Sequence, residues 1–194
     1  IYLGIDQNNF IKNNTKKKNF ILFVGPRNRY KNFINFIKAY SKSKYLLDTY
    51  KVVCFGNEKF STSEIEMFNK LGIIKNIIFK SGNDSELYRN YSYASLFVTT
   101  SLYEGFGLTP LEAMKCGCPV LCSNIPTFKE ILGNSCEYVN PRNVQDIKKK
   151  IENVLRSKKK QKKLIKSGFK RIKKFSWDKC TYETTQVYKK IITS

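Results

Sequence analysis

Histidine is missing from all 194 residues. That removes the imidazole ligand from any zinc-type site. Paired C-x2-C spacing is missing as well: Cys116, Cys118 and Cys122 cluster, but at other intervals. These three read as small buried residues, and no metal or other cofactor is expected. Acidic residues are scarce, 15 against 36 Lys and Arg, and no aspartate cluster offers a divalent ion a seat. No apolar run approaches the roughly 20 residues that span a bilayer. No secretory leader is visible in this stretch and no internal repeat is evident. The chain opens on Ile1 rather than Met, so it is expected to be a piece of something longer.

What is present fits one globular domain. The length suffices for a full core, and 41% of residues are hydrophobic. Six cysteines without a disulfide-scaffold pattern suggest reduced thiols and a cytoplasmic setting. The net charge of +21 points to polyanionic partners: nucleic acid, acidic lipid or phosphate ligands. A lysine-biased proteome would give the same charge.

Strand-length apolar runs alternate with helical patterns from Phe20 to Leu155. The strands are expected at Phe20–Gly25, Val52–Phe55, Asn76–Lys80, Leu96–Thr99, Val120–Cys122 and Glu137–Val139. Continuous apolar runs suit parallel strands covered on both faces. The fold class is therefore α/β, a doubly wound, mostly parallel sheet of about six strands with extra C-terminal helices. One helix should bury Phe33, Ile34, Phe36, Ile37 and Tyr40. A second, Ser61–Leu71, should bury Ile65 and Phe68. A third, opened by Asp84 as N-cap, carries Leu87, Tyr88 and Tyr91. Further helices are expected from Pro126, from Val144 and from Ser176.

The organising stretch is EGFGLTPLEAMKCGCPV, from Glu104 to Val120. Glycines let the backbone turn sharply and approach a ligand. A helix start follows, with Thr109 as N-cap, Pro110 at the first position and Glu112 closing a capping box. Gly117 should end this helix, with Pro119 beyond it. A helix N-terminus carries unpaired N–H groups and partial positive charge, which favour phosphate. The N–H groups of Gly107, Leu108 and Thr109 are placed to bond a diphosphate. Loops at the carboxyl ends of parallel strands are where open α/β sheets bind ligands. Arg27 and Lys31, in the loop after the first strand, are the cations for that diphosphate, or else part of a solvated basic loop. Pro26 follows Gly25, so Arg29 competes with Arg27 for the role.

The run from Glu104 resembles the E-x7-E signature of retaining nucleotide-sugar glycosyltransferases of family 4, which have the two-domain GT-B architecture. It departs at Thr109-Pro110, where one proline is common, and at Lys115, where a small residue is common. The resemblance covers the C-terminal half of such an enzyme. It implies a nucleotide-diphospho-sugar donor and transfer with retention to a saccharide or lipid-linked acceptor in surface polysaccharide or glycolipid synthesis. The resemblance also assigns roles. Glu104, with Lys31 and Arg27, acts at the transferred sugar and its diphosphate. Gly105, Phe106, Gly107, Leu108 and Thr109 form the turn that holds the donor. Glu112 binds the ribose, unless it is only a cap, and Gly82 and Asn83 lie near the base. By the same likeness, residues 1–19 are an inter-domain segment, 20–175 the nucleotide-sugar domain, and 176–194 a helix returning to an N-terminal domain. Since that domain makes most of the acceptor site, this piece alone should bind donor but hardly turn it over.

Lys158–Lys174 holds ten basic residues interleaved with Leu164, Ile165, Phe169 and Ile172. The apolar spacing is helical. It reads as a solvated surface helix or as a contact with anionic membrane, which would put the protein at the inner face of the membrane. Nucleic acid is the weakest reading, because no recognition motif accompanies the charge. A basic α/β binding module without catalysis is the rival to the enzyme reading. The single Trp, Trp177, is expected as a packing anchor.

Overall fold

The computed structural model describes residues 1–5, 16–27 and 29–192. Most of the expected linker, including Asp6, lies outside them. Six strands form one sheet in the order β3-β2-β1-β4-β5-β6. They are β1 (Lys18–Val24), β2 (Lys51–Phe55), β3 (Ile77–Lys80), β4 (Ala94–Thr99), β5 (Val120–Ser123) and β6 (Glu137–Val139). Every neighbouring pair is parallel. The helices are α1 (Phe33–Ser41), α2 (Lys44–Thr49), α3 (Thr62–Lys70), α4 (Asp84–Tyr93), α5 (Leu108–Lys115), α6 (Pro126–Leu132), α7 (Val144–Arg156), α8 (Lys158–Ile172) and α9 (Trp177–Ile192).

The two-residue period of a strand divides the core into two. Ile21 and Phe23 of β1, Val52 and Cys54 of β2, and Leu96 and Val98 of β4 pack on one face with Phe36, Tyr40 and Ile147. Leu22, Val53 and Phe97 point the other way, against Tyr91, Leu111 and Phe128. At about 1.5–3 kcal/mol for each large apolar side chain fully buried, these two layers are the main stabilising contribution.

Several local expectations are corrected. Ile34 and Ile65 point outward, 46% and 41% exposed, while Phe33, Phe36, Ile37, Tyr40 and Phe68 are buried as expected. Aromatic rings take the inward positions of both helices, with Phe33 against both Phe23 and Phe68. Asn83, not Asp84, caps α4: its side chain accepts from the Glu86 N–H in a capping box. The capping box expected at Thr109 does not form. Gly107 caps α5 at φ 107°, with no side-chain cap bond, so Thr109 and Pro110 already lie inside the helix. At the far end, Gly117 donates to Met114 O and Cys118 to Ala113 O. This Schellman closure is the expected stop. Trp177 is half exposed, and α9 has no buried residue.

Candidate functional site: the loops after β1 and β4

Strand order reverses direction between β1 and β4, and the loops at their carboxyl ends diverge there. A topological switch point of this kind leaves a crevice in open α/β sheets. Asn32 stitches the two loops together. Its amide donates to Thr100 O at 3.1 Å and to Pro141 O at 2.7 Å. In return the Thr100 hydroxyl donates to Asn32 O, and the Leu102 N–H to Tyr30 O. Asn32 takes φ 52° to do this, a left-handed conformation that asparagine tolerates better than most residues.

The clamp brings Lys31 and Glu104 into contact. Lys31 Nζ lies 2.7 Å from Glu104 Oε1, with both side chains about one-seventh exposed. Ser101 donates to the same oxygen at 2.7 Å, and the Thr127 hydroxyl to the Glu104 carbonyl at 2.9 Å. Glu104 is thus held at backbone and side chain. Gly105, next in sequence, is exposed, and a Cβ there would meet nothing within 4 Å. Gly107 differs: a Cβ would stand 2.9 Å from Phe128, and its φ is positive. The Phe106 ring turns inward onto Tyr2 and Phe175. The first turn of α5 carries no acidic side chain. Pro110 has no N–H to offer, so Leu108 and Thr109 supply the forward-facing donors of that positive end.

Glu112 does not turn back to Thr109. It accepts a bond from the Tyr91 hydroxyl at 3.1 Å. Tyr91 is wholly buried, and its hydroxyl needs an acceptor. Burial pushes the Glu112 carboxyl above its ordinary value; the Tyr91 bond opposes that shift and nearby Asp84 adds to it.

Arg27 also has a partner that local sequence did not reveal. Its Nε lies 2.6 Å from Glu64 Oε1, and its Nη2 donates to the Glu58 and Lys59 carbonyls. Burial pushes the Glu64 carboxyl up, but the bonds from Arg27 and Ser61 outweigh it and hold the group below its usual range. The guanidinium is thus bonded to Glu64 and the β2–α3 loop, whereas Lys31 pairs with Glu104. The Arg29 side chain lies outside what the structure describes. Arg27 and Gly82 line a crevice of about 330 Å³ with Gly25, Gly56, Asp84 and Leu87, while the Asn83 side chain is occupied in capping α4.

A family model of glycosyl transferases group 1 matches residues 5–171. The chain belongs to that family. It is 39% identical over 106 residues to O-antigen chain mannosyltransferase B of Escherichia coli, covering 55% of this chain and 28% of that protein. Against O-antigen chain mannosyltransferase RfbU of Salmonella typhimurium it is 33% identical over 162 residues, 79% of this chain and 43% of the relative. The chain therefore spans less than half the length of these relatives. Among solved structures, it superposes on the C-terminal domain of a glycosyl transferase group 1 family protein (LpcC) from Francisella tularensis with a TM-score of 0.70. That match covers 89% of this chain and 94% of the domain, and at 22% identity it speaks for the fold alone. The expected fold, a parallel six-stranded α/β sheet of GT-B type, is thereby established.

The sequence missed Asn32, Tyr91 and Thr127 as contributors to the site. Each acts across at least 20 residues of chain, where no spacing rule reaches. Ser101, three residues before Glu104, lay within reach of a local reading.

Proposed function

We propose that this chain is the donor-binding half of a retaining glycosyltransferase that takes a hexosyl group from a nucleoside-diphosphate sugar. The observation that carries the reading is the Lys31–Glu104 pair, fixed at 2.7 Å beside a glycine with open space over its Cα. In this reading the diphosphate lies over Gly105–Thr109, against the positive end of α5. The nucleoside occupies the crevice by Gly25 and Gly82, and Glu112 bonds the ribose from the side opposite Tyr91. Breaking the bond between the anomeric carbon and the phosphate oxygen sends its electron pair to the diphosphate. Lys31 and the α5 N–H groups stabilise that negative charge. Glu104 stabilises the positive charge left on the sugar. Arg27, held by Glu64, shapes the crevice wall and adds positive potential from a distance. The chemistry needs no metal in this scheme.

Both mannosyltransferase relatives support a mannosyl donor and O-antigen-type polysaccharide as the setting, hence a cytoplasmic protein. The acceptor site belongs to the N-terminal domain of the whole enzyme. The apolar residues exposed on α9 and at Ile1, Tyr2 and Leu3 are the face that domain would cover. Family membership weighs against a binding module without catalysis. Among the described residues no helix is long and apolar enough to cross a membrane. An exposed stripe of Lys159, Lys163, Lys166 and Lys170 along α8, continued by Lys173 just past its end, supports peripheral docking on anionic lipid.

A thermal-shift panel of UDP, GDP, ADP and their sugar conjugates tests the core reading. One nucleotide diphosphate should raise Tm, in the presence of EDTA, with little dependence on salt. Flat melting curves throughout, or stabilisation that scales with phosphate count and vanishes in salt, would refute it. Strict dependence on a divalent ion would refute the metal-free scheme.

A further inference from the structure

At the β6 edge of the sheet lies a pair of thiols that donor chemistry does not use. Cys122 on β5 is fully buried, and Cys136, just before β6, keeps 7% of its surface. Their sulfurs stand 3.0 Å apart. A disulfide bond is about 2.05 Å long, so roughly 1 Å of approach closes it. Cys136 also lines a surface groove of about 450 Å³, together with Tyr138, Lys159, Lys160 and Lys163. The groove's carboxylate, Glu137, is bonded to Lys150 and Lys160, each at 2.9 Å. Burial pushes its pKa up, but these two lysines outweigh that and hold it below the ordinary range. Glu137 therefore remains ionised and neutralised, and Lys159 and Lys163 leave the rim with surplus positive charge.

We propose that Cys136 and Cys122 form a thiol–disulfide exchange site, at which a small anionic disulfide enters this groove and leaves the two cysteines joined. In the first step the Cys136 thiolate attacks one sulfur of the reagent. The reagent's S–S bond breaks, and one thiolate departs with the bonding pair. Cys122 then gives up its proton to solvent and attacks the Cys136 sulfur, expelling the second reagent thiolate. The protein loses two electrons and two protons, and one disulfide becomes two thiols. Cys136 goes first because it lines the groove. Burial, reinforced by neighbouring Cys136, holds the Cys122 thiol well above its ordinary value, which keeps it from leading, while its place 3.0 Å from Cys136 lets it close the bond once the reagent is attached. Cys180 on α9 is more exposed than either. It should take up a reagent adduct, which distinguishes simple exposure from the paired site.

The test uses the reduced chain with two probes, oxidised glutathione (anionic) and cystamine (cationic), followed by digestion and mass spectrometry. A linked Cys122–Cys136 peptide should dominate the crosslinks and dithiothreitol should reverse it. Closure should raise Tm by roughly 5–10 °C, as expected for a loop of this length in a domain of this size. Glutathione disulfide should react several-fold faster than cystamine at low salt, with the gap narrowing as salt rises. In Cys122→Ser, the glutathione adduct on Cys136 should accumulate. Absence of the linked peptide, linkage among other cysteines, or equal or faster reaction with cystamine would overturn the proposal. If Cys122→Ser does not fold, the linked peptide and the two rates on the unaltered chain still decide.

Discussion

Helices α5 and α9 stand at opposite extremes of this chain. In α5, Pro110, Leu111, Ala113, Met114 and Lys115 are buried, and Glu112 is tied to Tyr91. In α9, sixteen residues run without one buried side chain, and Tyr182, Tyr188 and Ile191 are each more than 60% exposed. Sequence pattern does not separate them, since both mix apolar and polar residues with a helical period. What separates them is the rest of the chain. Two strands, α4 and α8 surround α5, whereas α9 abuts the domain at its start, where Gly4 lies against the Trp177 backbone, and buries no side chain. A helix surrounded on several sides can hold a ligand site steady. One that lies bare takes its order from a partner.

The contrast can be broken first at Glu104. In the complete enzyme, Glu104→Gln should lower kcat by about 10²–10³-fold, the range seen when one charge-stabilising group is removed, with Tm lowered by only a few degrees for the lost Lys31 pair. A large fall in Tm with normal turnover would instead make Glu104 a structural group. Next comes the glycine pair. Gly107→Ala forces a Cβ to 2.9 Å from Phe128 at a positive φ and should destabilise the chain by about 1–3 kcal/mol in urea unfolding. Gly105→Ala should melt normally yet weaken donor binding. If calorimetry finds its affinity unchanged, the open space at Gly105 is not the donor's. Third, Glu112→Gln should weaken nucleotide binding about tenfold, the scale of one charge-assisted bond, because the amide still accepts from Tyr91 but carries no charge.

Acid should act on the frame rather than on α9. Glu64 and Glu137 both have lowered carboxyl values in the fold. Between the folded and unfolded values the unfolded chain binds more protons. Stability from these pairs is therefore complete above the ordinary glutamate range and lost as pH falls through the folded values, below about pH 4. Replacing both by Gln should flatten the acid limb of a Tm–pH curve. The smallest effect belongs to α9: removing residues 178–194 should change the Tm of this chain by no more than about 2 °C. A larger loss would mean that α9 is packed against the domain in solution.

Sheet, strand positions and nearly all helix positions were legible, because they depend on runs and periods a few residues long. β1 with its continuous apolar run and α6 with Pro126 at its start are examples. Helix α2, six residues long, was too short for its period to show. The residues of the Glu104–Thr109 turn were legible as a group, but their partners were not. Thr109-x-x-Glu112 has the letters of a capping box, but Gly107 takes the cap and Glu112 turns to Tyr91, 21 residues upstream. Likewise Arg27 and Glu64 find each other across 37 residues. Local chemistry indicates what a side chain can do, and the tertiary neighbour selects among those options.

Asn32 has a kinematic consequence. One amide group fastens the β1–α1 turn to the segment after β4 and to Pro141 ahead of α7, so these three pieces shift as a single plate. Lys31 and Glu104, one on each side of this joint, then cannot drift apart independently. A substitution at this one position would loosen that plate, leaving bonds such as that from the Leu102 N–H to Tyr30 O, with the Lys31–Glu104 pair, to hold the two loops, without touching either charge.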